Sequence, residues 1–260
     1  MTDEPYRWME AIANRREYIE HQLAGGSPIT ALSCREGVLL FTVGRERQKI
    51  FEIYDRIGLG GIGHPGDIER LRMAAIELTS TEGFTRSAQD VSLRRLASFS
   101  LSPALKAAFE QIYGPPYLAR LLFVEVGRGT APNLFLRMEY DGTIHTNGGA
   151  FARPFEEFGV ISGSTAATGQ MERFLRDRAS PDASLEDSVR LAADAWAVGS
   201  LAQSEPDRED LPGEAAIAAR LEEQLKDAST EAALLRRASP VPICWETLPE
   251  AKVRSMLSLR

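Results

Sequence analysis

Strand-like and helix-like segments arrive in blocks along this chain, and the block order limits its fold more than any single motif does. Four short apolar runs come first: ITALSC (29–34), GVLLFTV (37–43), KIFEIYD (49–55) and RIGLGGI (56–62). A helix opened by His64-Pro65-Gly66-Asp67 follows, with Ile68, Leu71, Ala75 and Leu78 on its apolar face. A second helix comes after Ser87–Asp90, with Leu101, Leu105, Ala108 and Ile112 on one stripe, and Gly114-Pro115-Pro116 stops it. Strand patterns return over 117–127 and 133–140, then an Asp141-Gly142 hairpin turn, TIHTN and 158–163. Helices over 164–177 and 184–202, the latter opened by Ser184, precede two last strands, EAALLRR and PICWETL, and a helix at 249–257. Alternating βαβ units do not produce such blocks; stacked sheets covered by pairs of helices do.

Two segments stand apart from the blocks. Residues 6–24 form an amphipathic pattern, with Met9, Ile12, Ile19 and Leu23 at helical spacing, ended by Gly25-Gly26. Residues 204–230 begin as an acidic loop and become an alanine- and glutamate-rich helix with a narrow stripe through Ile217, Leu221 and Leu225. That composition is expected of a solvated surface insertion, with a contact to a partner protein as the alternative. No repeat or linker divides the 260 residues, so a single domain over 1–260 is expected.

Several classes of function are disfavoured by composition. The net charge is −7 and no basic stripe dominates, which argues against nucleic acid as a partner. No apolar run approaches a membrane span, and the charged N-terminus is not a secretory signal. Cys34 and Cys244 sit in apolar contexts and read as buried thiols in a reducing compartment, so a cytoplasmic location is expected. Three scattered histidines (His21, His64 and His145) and two distant cysteines offer no metal-ligand spacing, so no metal is expected.

Gly58, Gly60 and Gly63 spell a literal G-x-G-x-x-G before a helix. A dinucleotide turn also needs the helix to start at the glycines and an acidic residue about 20 positions on, at the end of a second strand. Here Pro65 marks a later helix start, and Glu77 and Glu82 fall at a helix end. The glycines are therefore expected in a strand over which something packs close to the backbone, with no cofactor. A small-molecule binding protein that uses this stretch is the alternative it leaves open.

The ordered series from ITALSC through KIFEIYD, Tyr54-Asp55-Arg56 and RIGLGGIGHPGDIERLRMAA to ASLEDSVRLAADAWAVGS resembles proteasome core-particle subunits over about residues 10–203, and again from about 230. The likeness implies an α+β fold, a four-layer αββα sandwich of the N-terminal-nucleophile hydrolase type, with an N-terminal helix. In catalytic β-type subunits a processed threonine is the nucleophile, and an aspartate and a lysine support it. The register puts Ile29 at the threonine and Val43 at the aspartate, and only Lys49 matches. A divergent self-compartmentalising hydrolase using Ser27, Thr30 or Cys34 is the alternative. The N-terminal helix and the RRE-Y-I-E-x-x-L-A-G-G-S stretch are most similar to bacterial α-type subunits of the actinobacterial kind.

An α-type subunit implies no catalytic residue and no cofactor. Its partners are expected to be sister α subunits in a heptameric ring, β-type subunits, and the C-terminal tail of an AAA-type ATPase activator. By the resemblance, Lys49 pairs with that terminal carboxylate in a pocket between neighbouring subunits lined by Gly26, Gly63 and His64; without it, Lys49 reads as a strand-edge charge. The ring interface implied is the N-terminal helix, through Trp8, Met9, Ile12, Arg16, Ile19 and Leu23. Arg15, Glu17 and Glu20 are expected to add inter-subunit pairs there.

Overall fold

The structure, a computed structural model, describes residues 4–45, 47–146, 157–206 and 208–258, with only the backbone for 4–6. Asn147, the last residue of the TIHTN run, lies outside the described residues. Helix α1 (Glu4–Leu23) leads into strands β1 (Ile29–Cys34), β2 (Gly37–Gly44), β3 (Ile50–Tyr54) and β4 (Ile57–Gly63). Helix α2 (Pro65–Thr85) comes next, followed by α3 (Leu93–Arg95), a π-helical stretch (Leu96–Leu101) and α4 (Ser102–Glu110). Strands β5 (Ala119–Glu125), β6 (Leu134–Met138), β7 (Ile144–His145) and β8 (Phe158–Ile161) follow. Helices α5 (Thr165–Leu175), α6 (Leu185–Ser204) and α7 (Glu214–Asp227), strands β9 (Ser229–Arg236) and β10 (Trp245–Leu248), and helix α8 (Glu250–Ser258) complete the order.

Among the described residues the strands form two five-stranded antiparallel sheets, β10-β9-β2-β1-β8 and β3-β4-β5-β6-β7. Strand alternation sorts their side chains into layers. In β2, Val38 and Leu40 face the other sheet, and Leu39, Phe41 and Val43 face helices α5 to α8. In β5, Leu122 and Val124 point between the sheets, and Leu121 and Phe123 point to α2 and α4. The central strands β1, β2, β4 and β5 are buried on both faces because each sheet is covered twice, as an αββα sandwich requires.

Strand β4 carries its glycines where the layers come closest. A Cβ on Gly60 meets Ile29 Cγ2 at 2.9 Å, one on Gly58 meets the Trp245 ring at 3.0 Å, and one on Gly61 meets Ile68 Cγ2 at 2.8 Å. Helix α2 starts beyond them, with His64 as its N-cap residue and Pro65 in its first turn. There the Asp67 carboxylate accepts the Leu118 N–H at 3.0 Å. The glycine stretch is thus filled by this chain's own side chains.

Three sequence expectations are corrected. Leu78 is exposed, and Thr79 takes its place on the buried face of α2. Before α4, the Ser102 N–H reaches the Ala97 carbonyl, a π-type step next to Pro103, whose ring excludes the regular bond. That step rotates the stripe to Leu101, Leu105 and Phe109, leaving Ala108 and Ile112 only partly buried. Helix α7 is not a freely solvated insertion: Ile217 and Leu221 are buried in the layer beneath α6 and β9.

Candidate functional site

An open cavity of about 970 Å³ lies where the C-terminal end of α1, the β2–β3 connection, the end of β4 and helices α6 and α7 converge. Lys49, Gly26 and Gly63 line it, together with Arg45, Arg47, Trp196, Gln203, Arg220 and Gln224. His64 does not: it is exposed at the rim, where its backbone N–H binds the Leu118 carbonyl at 2.7 Å. The pocket expected from sequence is therefore corrected at that position, because as the N-cap of α2 His64 follows the outward turn of the chain.

Each wall is fixed by local chemistry. Gly63 has φ +131° and lies against the Leu118 carbonyl, a conformation L side chains rarely adopt. Gly26 leaves no room for a Cβ, which falls 2.0 Å from Ile62 Cγ2. The Gln203 amide of α6 donates to the Gly26 carbonyl at 2.8 Å and so ties the loop after α1 to the body. The Trp196 ring nitrogen donates to Ser27 Oγ at 3.0 Å, and that hydroxyl donates to the Val43 carbonyl.

Lys49 sits just before β3. Its backbone N–H and that of Ile50 both donate to the Glu231 carboxylate of β9, at 2.9 Å each, and its carbonyl accepts the Gly61 N–H at 2.9 Å. The side chain passes over Gly44, where a Cβ would stand 3.8 Å from Lys49 Cε. Burial lowers the Lys49 ammonium to about 8, against a partial opposing effect of the Glu231 charge. Burial also raises the Glu231 carboxyl, while its two backbone donors and Lys49 pull it back. Among the described residues no ion pair engages the Lys49 ammonium. A half-buried cation in a cavity with a fixed backbone is suited to binding an external carboxylate.

The hydrolase alternative meets obstacles. Ile29 and Val43 are buried. Thr30 is fully buried within β1. Burial, and after it the Glu36 charge, push the Cys34 thiol up to about 11, which suppresses the nucleophilic thiolate. The Ser27 hydroxyl is held between Trp196 and Val43.

The residues expected at a ring interface divide into two sets. Trp8 and Met9 are exposed, and Trp8, Ile12 and Arg16 line a shallow hollow of about 400 Å³ with Phe109 and Asp141. Ile19 and Leu23 are instead buried in this chain's own core, against Phe109 and Tyr140. Arg15 caps α4 by donating to the carbonyls of Ala108, Ile112 and Gly114, and Arg16 pairs with Asp141 at 3.3 Å. Glu20 binds Arg120 and accepts from the Tyr140 hydroxyl at 2.9 Å. The inner half of α1 is thus bound within the subunit, which corrects the expectation of inter-subunit contacts for Arg15, Ile19, Glu20 and Leu23.

Sequence reasoning passed over Glu231, Gln203 and Arg220. Glu231 had one signal, the single carboxylate of its strand, just ahead of the apolar run Ala232–Leu235. No local pattern marks the other two, which depend on how α6 and α7 pack. Among the described residues there is no metal-ligating cluster, and no helix is long and apolar enough to cross a membrane.

Comparison with known proteins adds an independent line. Residues 24–203 match the proteasome subunit family. The chain is 32% identical over 195 residues to a proteasome subunit alpha of a Mycobacterium species, covering 73% of this chain and 72% of that one. It is 31% identical over 191 residues to that of Mycolicibacterium smegmatis, covering 72% of each. A proteasome subunit alpha of a Nocardioides species is 26% identical over 253 residues, 96% of this chain and 87% of the relative, so that similarity extends through α7 to the C-terminal strands.

Proposed function

The chain belongs to the proteasome subunit family as an α-type member, and from that membership we propose that it builds the outer heptameric ring of a bacterial core particle. Its partners are sister α subunits and β-type subunits. It restricts substrate entry and docks the C-terminal tail of an AAA-type ATPase activator. In this reading it is not itself a peptidase: the resemblance sets Ile29 and Val43 at the positions of the nucleophile and its aspartate, and both are buried and apolar. The exposed Trp8 and Met9 of α1 supply a contact face for the neighbouring subunit.

The observation that carries the docking reading is the half-buried Lys49 side chain lining the large cavity, on a backbone that Glu231 fixes through the N–H groups of Lys49 and Ile50. A terminal carboxylate supplies the counter-charge, with a charge-assisted bond that contributes roughly 1.5–3 kcal/mol. The test is binding of the activator's tail peptide to the assembled particle, with Lys49→Ala compared to the unaltered chain. A loss of about 10- to 150-fold is expected. Equal affinity in an intact ring returns Lys49 to the role of a strand-edge charge.

A further inference from the structure

Part of the cavity wall is made by α7, the acidic helix that composition alone assigns to solvent. Arg220 is the cation of that wall. Its Nε donates to Ser200 Oγ at 3.0 Å and its Nη2 to Ser204 Oγ at 2.8 Å, both on α6. Neutral hydroxyls fix the guanidinium plane without cancelling its charge. Its carboxylate partner is Glu223, 3.2 Å away, one helical turn on and 65% exposed. An ion pair so open to water contributes little and yields readily to a competitor. A guanidinium carries five N–H donors, and Ser200, Ser204 and Glu223 engage three.

The charge balance points the same way. Arg45, Arg47, Lys49 and Arg220 line the cavity, against the single carboxylate of Glu69. Both oxygens of Glu69 are occupied by Arg72, at 2.7 and 2.8 Å. The cavity volume lies near the upper end of the range for ligand pockets. One carboxylate at Lys49 leaves the α7 wall unmet. At the rim, the first turn of α2 offers Pro65, without an N–H, and the Asp67 carboxylate. That arrangement disfavours a phosphate group.

We infer that Arg220 is a second anion-reading residue of this cavity, and that the peptide tail accepted there carries an acidic side chain within a few residues of its terminal carboxylate. The inference rests on the docking reading for Lys49 and extends it. Lys49 takes the chain terminus, and Arg220 selects among tails by a fork-like bond to a side-chain carboxylate.

The probe is a fluorescein-labelled octapeptide of Gly and Ser ending in Leu. A single Glu is walked through the four positions before the terminus, and each peptide is made with a free carboxylate and as a carboxamide. Anisotropy on the assembled, full-length protein is expected to show one Glu position that strengthens binding about tenfold, in line with a charge-assisted hydrogen bond. Arg220→Ala should remove that gain and keep the preference for carboxylate over carboxamide. Arg220→Gln, which retains an N–H donor for the serines without the charge, decides the matter if Arg220→Ala does not fold. A gain that persists in the Arg220 variants, or no Glu position that strengthens binding, overturns the inference while the Lys49 reading stands. Equal binding of carboxamide and carboxylate peptides overturns the Lys49 reading itself. Displacement of the Glu peptide by ATP at micromolar concentration identifies a phosphate site and overturns both.

Discussion

The Glu231 carboxylate spans the backbone N–H groups of Lys49 and Ile50 at 2.9 Å each, so a strand of the first sheet holds the point where the second sheet begins. Glu231→Ala leaves both donors without this partner in a half-buried place. We predict a loss of about 1–3 kcal/mol in folding stability, read by urea unfolding. Binding of carboxylate peptides should weaken as well, because Lys49 is no longer fixed. Unchanged stability and binding would show that the clamp is incidental.

Docking should depend on pH with a defined sign. The free Lys49 ammonium titrates at about 8, lowered by burial, and a bound carboxylate raises it. Affinity should therefore be flat below pH 8 and fall by up to tenfold per pH unit above it, until the higher value of the complex is passed. Stability follows a related rule. Between about 8 and the ordinary value of 10.5 the unfolded chain binds the extra proton, so Lys49's own contribution makes folding more favourable as pH rises through that window. Anisotropy titrations from pH 6.5 to 9.5 test the binding half. Lys49→Arg should flatten the curve, and a curve unchanged by that substitution would contradict the assignment.

Gly60→Ala should destabilise the sandwich by about 1–3 kcal/mol, the usual cost of overpacking, because its Cβ meets Ile29 Cγ2 at 2.9 Å. Gly169→Ala in α5 is the control, since nothing lies within 4 Å of the added methyl. Helix propensity makes that change favourable by about 1 kcal/mol. Thermal melts that move both variants in the same direction would refute the close approach of the sheets at Gly60.

Arg120, 1% exposed, binds Glu139 at 2.6 Å, Glu20 at 3.1 Å and the Ser162 carbonyl at 2.8 Å. Burial works against its charge, and the two carboxylates outweigh burial and raise its pKa. Arg120→Ala leaves Glu139 to Arg137 and Glu20 to the Tyr140 hydroxyl, strips the Ser162 carbonyl of its donor, and should cost about 1–3 kcal/mol. Because Glu20 belongs to α1, hydrogen exchange should accelerate in the second half of that helix first. Uniform acceleration across both sheets would argue against α1 being anchored there.

Leu221→Ala should cost about 2–5 kcal/mol, as expected for a buried leucine. Glu222→Ala, on the exposed face next to it, should change stability by less than about 0.5 kcal/mol. Equal effects would return α7 to the status of a solvated appendage.

Much of this architecture was legible because apolar periodicity is a local signal. The strand runs at 29–34, 37–43 and 56–62 recur almost unchanged as β1, β2 and β4. Pro65 fixed the start of α2 for a reason of covalent geometry. What escaped was set by neighbours distant in sequence. The stripe of α4 rotated at a π-type step, Leu78 lost its place to Thr79, and Ile217 and Leu221 found α6. At the candidate site Lys49, Gly26 and Gly63 share one cavity, and His64 turns outward because capping a helix constrains its backbone, not its ring. The inner residues of α1 were assigned to an interface by the resemblance alone; their amphipathic pattern fits equally the core of their own chain, where Ile19 and Leu23 lie.

The wedge of Ile29 into the hollow at Gly60 also bears on how such a subunit evolves. The resemblance to proteasome subunits aligns this position with the threonine of the catalytic type; here a branched hydrocarbon plugs the gap between the sheets. Replacing it with threonine exchanges part of that plug for a hydroxyl in a dry layer, and the α-amine required for catalysis is locked in the peptide bond to Pro28. A threonine-type site at this position would therefore demand a new chain start, an aspartate in place of Val43 and a repacked sheet interface together, with no benefit from any one alone. Packing at Ile29 and Gly60 thus weighs against a change at either position alone.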